Sequence, residues 1–185
     1  MYPDYSTIRI WDASVDKGET YHQVTAQTLA QGFSRRPGSY NFSTLADCMG
    51  LTIEVWLADE LDEIYLRPDT VRAIMVPFLV SGCGIMIGNL MQSVEMFVSM
   101  TRSSYALIFE VKLRNDEEYL NSPEYLENVE GGFTQEWCYL TFYPKAEPVQ
   151  PQILRVDAWS CPSYDLQGYC PLKPTYPLLM EVGLA

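Results

Sequence analysis

The chain has 185 residues, with 24 Asp and Glu against 12 Lys and Arg, and a formal net charge of −12 at pH 7. So strong an acidic balance repels phosphate backbones and anionic bilayers, which excludes direct nucleic-acid binding and steers toward a basic partner. Hydrophobic residues are 48% and aromatics 13%, beside 12 Pro and 11 Gly, a composition that suits one globular domain of pleated strands and punctuated turns.

Residues 1–11 have no charged stretch leading into an apolar core, so no signal peptide is expected. Residues 6–11 alternate as a strand, with Ile8 and Ile10 on one face and Thr7, Arg9 and Trp11 on the other. Residues 24–31 predict one short helix of about two turns, ended by Gly32. Arg35-Arg36-Pro37-Gly38 reads as a turn. Tyr40 and Phe42 then share a face opposite Ser39, Asn41 and Ser43. Leu51, Ile53, Val55 and Leu57 alternate with Thr52, Glu54 and Trp56, and a helical stripe over residues 56–65 is the rival reading.

Residues 71–80 are nearly all apolar and suit a buried strand, in which Pro77 lacks a donor and demands a bulge or an edge. Shorter strands follow at 85–87 and 94–98. A long one at 104–113 carries Tyr105, Leu107, Phe109, Val111 and Leu113 on one face. Residues 135–143 alternate in the same way, with Trp137, Tyr139, Thr141 and Tyr143 opposite Cys138, Leu140 and Phe142. Beyond residue 156, Pro162, Pro171, Pro174 and Pro177 interleave with aromatics and exclude a helix. The expected fold is all-β: an antiparallel β-sandwich over residues 1–157 with one short helix near the N-terminus, then an extended Pro/Tyr-rich tail over 158–185.

The apolar stretch over 73–91 is broken by Pro77, Ser81, Gly82, Gly84, Gly88 and Asn89, while a membrane span needs about 20 apolar residues. With neither leader nor span, the expected compartment is the cytoplasm. Five cysteines without a CxxC spacing then read as reduced thiols, with a Cys161–Cys170 pairing left open. No zinc spacing, nucleophile elbow or phosphate-cradling loop is present, so no cofactor, metal or catalytic residue is expected. The one histidine, His22, reads as a capping or surface residue rather than a general base. Glu54, Glu110 and Glu136 lie in or beside strands and are the only candidates for a two-carboxylate hydrolase. Tyr and Trp on strand faces leave a sugar-binding platform as a further alternative.

The acids are not spread evenly. Residues 115–136 hold seven of them and no Lys or Arg; Asp59, Glu60, Asp62 and Glu63 form a second knot. A loop as long as the first is usually functional or disordered.

Several segments in order resemble the competence protein J (ComJ) family: YSTIRIWDAS at 5–14, TAQTLAQGFSRRPGSYNFSTL at 25–45, VRAIMVPFLV at 71–80 and VSMTRSSYALIFEV at 98–111. The resemblance implies a small intracellular β protein whose founding member inhibits a DNA-degrading nuclease. It carries over no catalytic residue. The acidic loop and the Pro/Tyr tail extend past the family's smallest members. The partner implied is a basic protein, with a nuclease as the candidate, and the oligomeric state stays open. Asp116, Glu117, Glu118, Glu124 and Glu127, joined by Asp59, Glu60, Asp62 and Glu63, would occupy its cationic site. Tyr119 and Tyr125 would be aromatic anchors.

Overall fold

Alternation gives each strand one apolar face, and such a face is stable only against another layer. The computed structural model describes residues 7–16, 22, 28, 31–45, 51–59, 64–89, 95–113 and 136–156. Its strands are β1 (Thr7–Asp12), β2 (Phe33–Arg36), β3 (Ser39–Ser43), β4 (Leu51–Leu57), β5 (Thr70–Leu79), β6 (Gly84–Asn89), β7 (Glu95–Ser99), β8 (Ser104–Leu113), β9 (Glu136–Pro144) and β10 (Gln152–Arg155). They form two five-stranded sheets, in the orders β2-β3-β1-β6-β7 and β10-β5-β8-β9-β4. The all-β class stands as expected, and β4 carries Trp56 and Leu57, where the rival helix over 56–65 would have begun.

Seven of the eight strand pairings are antiparallel, and β4 alone runs parallel to its neighbour β9. Alternation is the same for either direction, so this departure from a purely antiparallel sandwich carries no signal in the strands themselves. It needs a long connection between the two partners, and β5 to β8 supply it.

The inner faces meet ring on ring. Phe42 of β3 stacks on Phe109 of β8 with centroids 4.5 Å apart, and Tyr40 lies 5.7 Å from Phe78 of β5. Phe78 and Tyr105 each meet Phe142 edge-on at 5.8 Å. The Tyr40 hydroxyl donates to the Pro77 carbonyl at 2.6 Å, and burial pushes its pKa up to about 12. Pro77 pairs with Ala106 on one side only, because β10 covers β5 at Ala73–Met75 and no further. The missing donor therefore falls at a free edge, as expected.

The outer face of the second sheet is partly closed as well. Met75, Ala106 and Ile108 are buried there against Leu66, Tyr143, Val149 and Leu154. This second cluster is why β8 reads as apolar on both sides.

Turns follow the backbone chemistry. Pro37-Gly38 joins β2 to β3 with Arg36 opposite Ser39, and Gly38 takes φ +67, which L side chains rarely adopt. The Gly32 N–H donates to the Thr28 carbonyl at 3.1 Å, and Gly32 has φ +76, the geometry of a glycine that ends a helical turn. The rest of the helix expected over 24–31 lies outside the described residues, as do the tail over 158–185, Cys161 and Cys170. Among the described residues no helix is long and apolar enough to cross a membrane.

The Asp12 carboxylate ties the turn after β1 to the segment after β5. It accepts from the Ser14 N–H and hydroxyl at 2.8 Å each, and from the Ser81 N–H. Burial opposes its charge, yet hydrogen bonds from Ser14, Ser81 and Gly82 hold its pKa below the usual value.

Phe42→Ala is expected to cost about 3–5 kcal/mol by opening a cavity between the sheets. Phe97→Ala, at a ring that is 51% exposed, should stay within about 0.5 kcal/mol. Urea unfolding midpoints of the two variants check this pair.

Candidate functional site

Phe109 points inward, so its neighbour Glu110 must point outward. The register then aligns Glu110 of β8, Tyr139 of β9 and Glu54 of β4 in one row across the outer face of the second sheet. Lys112, Trp137 and Thr52 make the next row on one side, and Ile108, Thr141 and Trp56 the next on the other.

The segment before β5 crosses this face and is pinned to it. Glu110, 1% exposed, accepts from the Arg67 N–H at 2.9 Å, from the Thr70 hydroxyl at 2.6 Å and from the Arg67 guanidinium. The guanidinium carbon lies 3.9 Å from the Tyr139 ring centroid and 5.7 Å from that of Trp56. Arg155 of β10 donates to the carbonyls of Arg67, Pro68 and Thr70 at 3.2, 3.3 and 2.9 Å. Lys112 pairs with Asp69, and its ammonium lies 5.8 Å from the Trp137 ring. The hydrogen bond from Lys112 holds the Asp69 carboxyl below its usual pKa. Burial, then the nearby Glu54 charge, pushes the Tyr139 phenol up.

The outcome is an aromatic and charged surface on which Arg67 and Lys112 have carboxylate partners and Arg155 is held by backbone carbonyls. Trp56 is 52% exposed at its edge, with its indole N–H 3.3 Å from the Glu54 carboxylate. Tyr65, just before the pinned segment, is 74% exposed.

Two carboxylates facing each other across a cleft are not found among the three candidates. Glu110 is closed by its three donors. Glu136 lies on the inner side of β9, fully buried, where its two oxygens accept from the Leu45 N–H at 3.0 and 3.1 Å. Beside it the Cys138 thiol is pushed well up by burial and the Glu136 charge, so it is no nucleophile. Cys83 is exposed and free. Among the described residues no group of three or more His, Cys, Asp or Glu is placed to hold a metal ion.

His22 is half-buried, and the helix it was expected to cap lies largely outside the described residues. Its Nδ1 is 2.8 Å from the Ser34 hydroxyl and its Nε2 is 3.0 Å from that of Ser39. It thereby links residue 22 to the β2–β3 hairpin. Burial, together with Arg9 and Arg36, lowers its pKa to about 3, so the ring is neutral near pH 7.

Of the residues singled out for partner binding, Asp59 lies exposed just past the end of β4. Glu60, Asp62, Glu63, Asp116, Glu117, Glu118, Tyr119, Glu124, Tyr125 and Glu127 lie outside the described residues. Trp56, Tyr65 and Arg67 were missed. For Trp56 a signal existed, since the alternation of β4 puts it on the polar side with Thr52 and Glu54.

A profile of the competence protein J (ComJ) family matches residues 3–143. The chain belongs to the ComJ family. The match spans all of β1 to β8 and nearly all of β9, so the first sheet and all of the second except β10 fall within it. Among solved structures the chain is similar to the crystal structure of ComJ from Bacillus subtilis, inhibitor of the DNA degrading activity of NucA. The identity is 13% and the TM-score 0.53, over 76% of this chain and 91% of that one. It is also similar to the crocagin biosynthetic gene J structure, at 11% identity and a TM-score of 0.47, over 77% of this chain and 93% of that one. At these identities the likeness concerns the fold. No curated protein matches the chain by sequence.

The folded-state pKa of His22 lies below the unfolded value of 6.5, at about 3. Its contribution to stability is therefore complete above pH 6.5 and is lost as pH falls toward 3, by at most about 1.4 kcal/mol per pH unit. Between pH 6.5 and 5, His22→Gln is expected to flatten the slope of unfolding free energy against pH relative to the parent, measured by urea titration at each pH.

Proposed function

We propose that this chain is a non-enzymatic inhibitor of a DNA-degrading nuclease, acting by presenting an acidic face to a cationic site on the enzyme. Membership of the ComJ family carries the reading. The fold shared with ComJ from Bacillus subtilis, an inhibitor of the nuclease NucA, supports it. So does the net charge of −12. A nuclease holds phosphates and must offer positive potential where they bind. An acidic protein competes for that potential, with fast association that weakens as salt screens it.

The acids assigned to this face are Asp116, Glu117, Glu118, Glu124 and Glu127, with Tyr119 and Tyr125 as anchors between them. Asp59, exposed beyond β4, opens the second run, which continues through Glu60, Asp62 and Glu63. A small-ligand or sugar-binding role is the second reading. The observation favouring it is the half-exposed Trp56 ring beside the Glu54 carboxylate.

DNA degradation by purified NucA, followed against added protein, tests the proposal. Inhibition is expected, and its apparent Kd should rise at least about tenfold between 50 and 300 mM NaCl. Replacing the five acids at 116, 117, 118, 124 and 127 by Asn or Gln should weaken it by a similar factor and reduce the salt dependence. Inhibition that ignores both salt and neutralisation would remove the acidic face. An oligosaccharide series that quenches tryptophan emission, with no effect on nuclease activity, would favour the second reading.

A further inference from the structure

Among the described residues, four of the seven large exposed hydrophobics fall within ten positions of each other: Trp56, Leu57, Ile64 and Tyr65. Trp56 and Leu57 end β4, the edge strand of the second sheet, and Ile64 and Tyr65 lead into the segment pinned by Glu110, so the four flank in sequence the run that begins with Asp59. Scattered exposed apolar residues are normal in a soluble domain, whereas a concentration of them beside charge marks a contact surface. Trp, Tyr and Arg are the residue types that dominate binding energy at protein interfaces.

The charge of this surface points to the chemistry of what covers it. Of its three cations, Arg67 is neutralised by Glu110 and Lys112 by Asp69, while Arg155 is taken up by the carbonyls of Arg67, Pro68 and Thr70. Glu54 is half-buried beside the Trp56 indole N–H, and Asp59 is exposed. These two carboxylates remain for an incoming group. A second copy of the chain would carry the same net charge of −12, so long-range repulsion opposes self-association. A cationic partner is favoured twice, by the carboxylates and by the electron-rich face of an exposed indole. The surface is also preorganised. Arg67 is held by Glu110 and lies over Tyr139, with its guanidinium on the Trp56 side, so little ordering remains to be done on binding.

We infer that Trp56, Glu54 and Tyr65 form the anchor of a docking surface for a cationic protein, with a partner Lys or Arg seated on the Trp56 indole against the Glu54 carboxylate. The inference rests on the inhibitor reading for the identity of the partner, and it names the contact surface independently of the 116–127 acids.

Two probes separate the two claims. The first is NucA, with binding rates measured for the full chain and for Trp56→Ser, Tyr65→Ser and Glu54→Gln. Leu79→Ser and Phe97→Ser, at exposed residues away from this surface, serve as controls. Trp56→Ser is expected to weaken binding by about 30-fold or more, chiefly through faster dissociation. Glu54→Gln should weaken it less and lose most of its effect at high salt, and the controls should stay within about threefold. If the parent binds NucA and Trp56→Ser binds equally well, the docking surface is wrong and the inhibitor reading survives.

The second probe is a hexa-arginine peptide titrated into the full chain, with the Trp56 indole N–H and Glu54 amide resonances followed by NMR. Saturable shifts there, reduced in Glu54→Gln, support the surface even if NucA proves not to be bound. Shifts confined to other residues overturn it. Sedimentation equilibrium supplies the last check, because a dimer abolished by Trp56→Ser would assign the surface to a second copy and overturn the cationic partner.

Discussion

The stacking of Phe42 on Phe109 across the sandwich sets the side on which every other residue of these strands must act. A strand alternates, so an inward Phe109 forces Glu110 outward, and an inward Phe42 forces Asn41 to the opposite face, where its side-chain oxygen accepts from Arg9 at 3.2 Å. The surface of the second sheet is a direct consequence. Glu110, delivered to the outer face, captures Arg67 and Thr70, and Arg67 then lies over Tyr139. Trp56 and Tyr139 come near the same guanidinium because their strands are neighbours in register.

The acidic excess has two populations with different physics. Asp12, Glu110 and Glu136 are buried, and each closes a distant part of the chain onto a strand: Ser81, Arg67 and Leu45 respectively. A buried carboxylate is tolerable only when donors surround it, and each of these collects at least one backbone N–H. They shape the fold and are not offered to a partner. Asp59 belongs to the second, exposed population, whose charge is felt at a distance and screened by salt. Counting carboxylates along the chain does not separate the two groups, whereas their partners in space do.

Legibility in the sequence varied with the reach of the interaction. The inward faces of β1, β3 and β8 were readable because period-two alternation is local. Gly32 and Gly38 were readable because each marks a positive φ. Pro77 announced its edge position through its missing donor. The partners of His22 were not readable, because Ser34 and Ser39 come from a hairpin that only folding brings to it. Trp137 and Tyr139 carry the larger aromatic face of β9, yet it is Leu140 and Phe142 that enter the sandwich. Both faces of β9 are rich enough in apolar atoms for either to serve, and the neighbouring sheet decides between them.

By itself, the sequence determined the longer strands but not β2, whose Arg35 and Arg36 read as a turn, and it determined the all-β class, the resemblance to the ComJ family and the excess of negative charge. Each of these follows from composition, alternation or an ordered set of short segments. The tertiary structure alone decided the parallel pairing of β4 with β9, the three carboxylates taken up by the interior, and the meeting of Trp56, Arg67 and Tyr139 on one outer face. The physical reason is that pairing direction and sheet order depend on contacts between residues far apart in the chain. Glu110 and Arg67 are 43 positions apart, and Glu136 and Leu45 are 91.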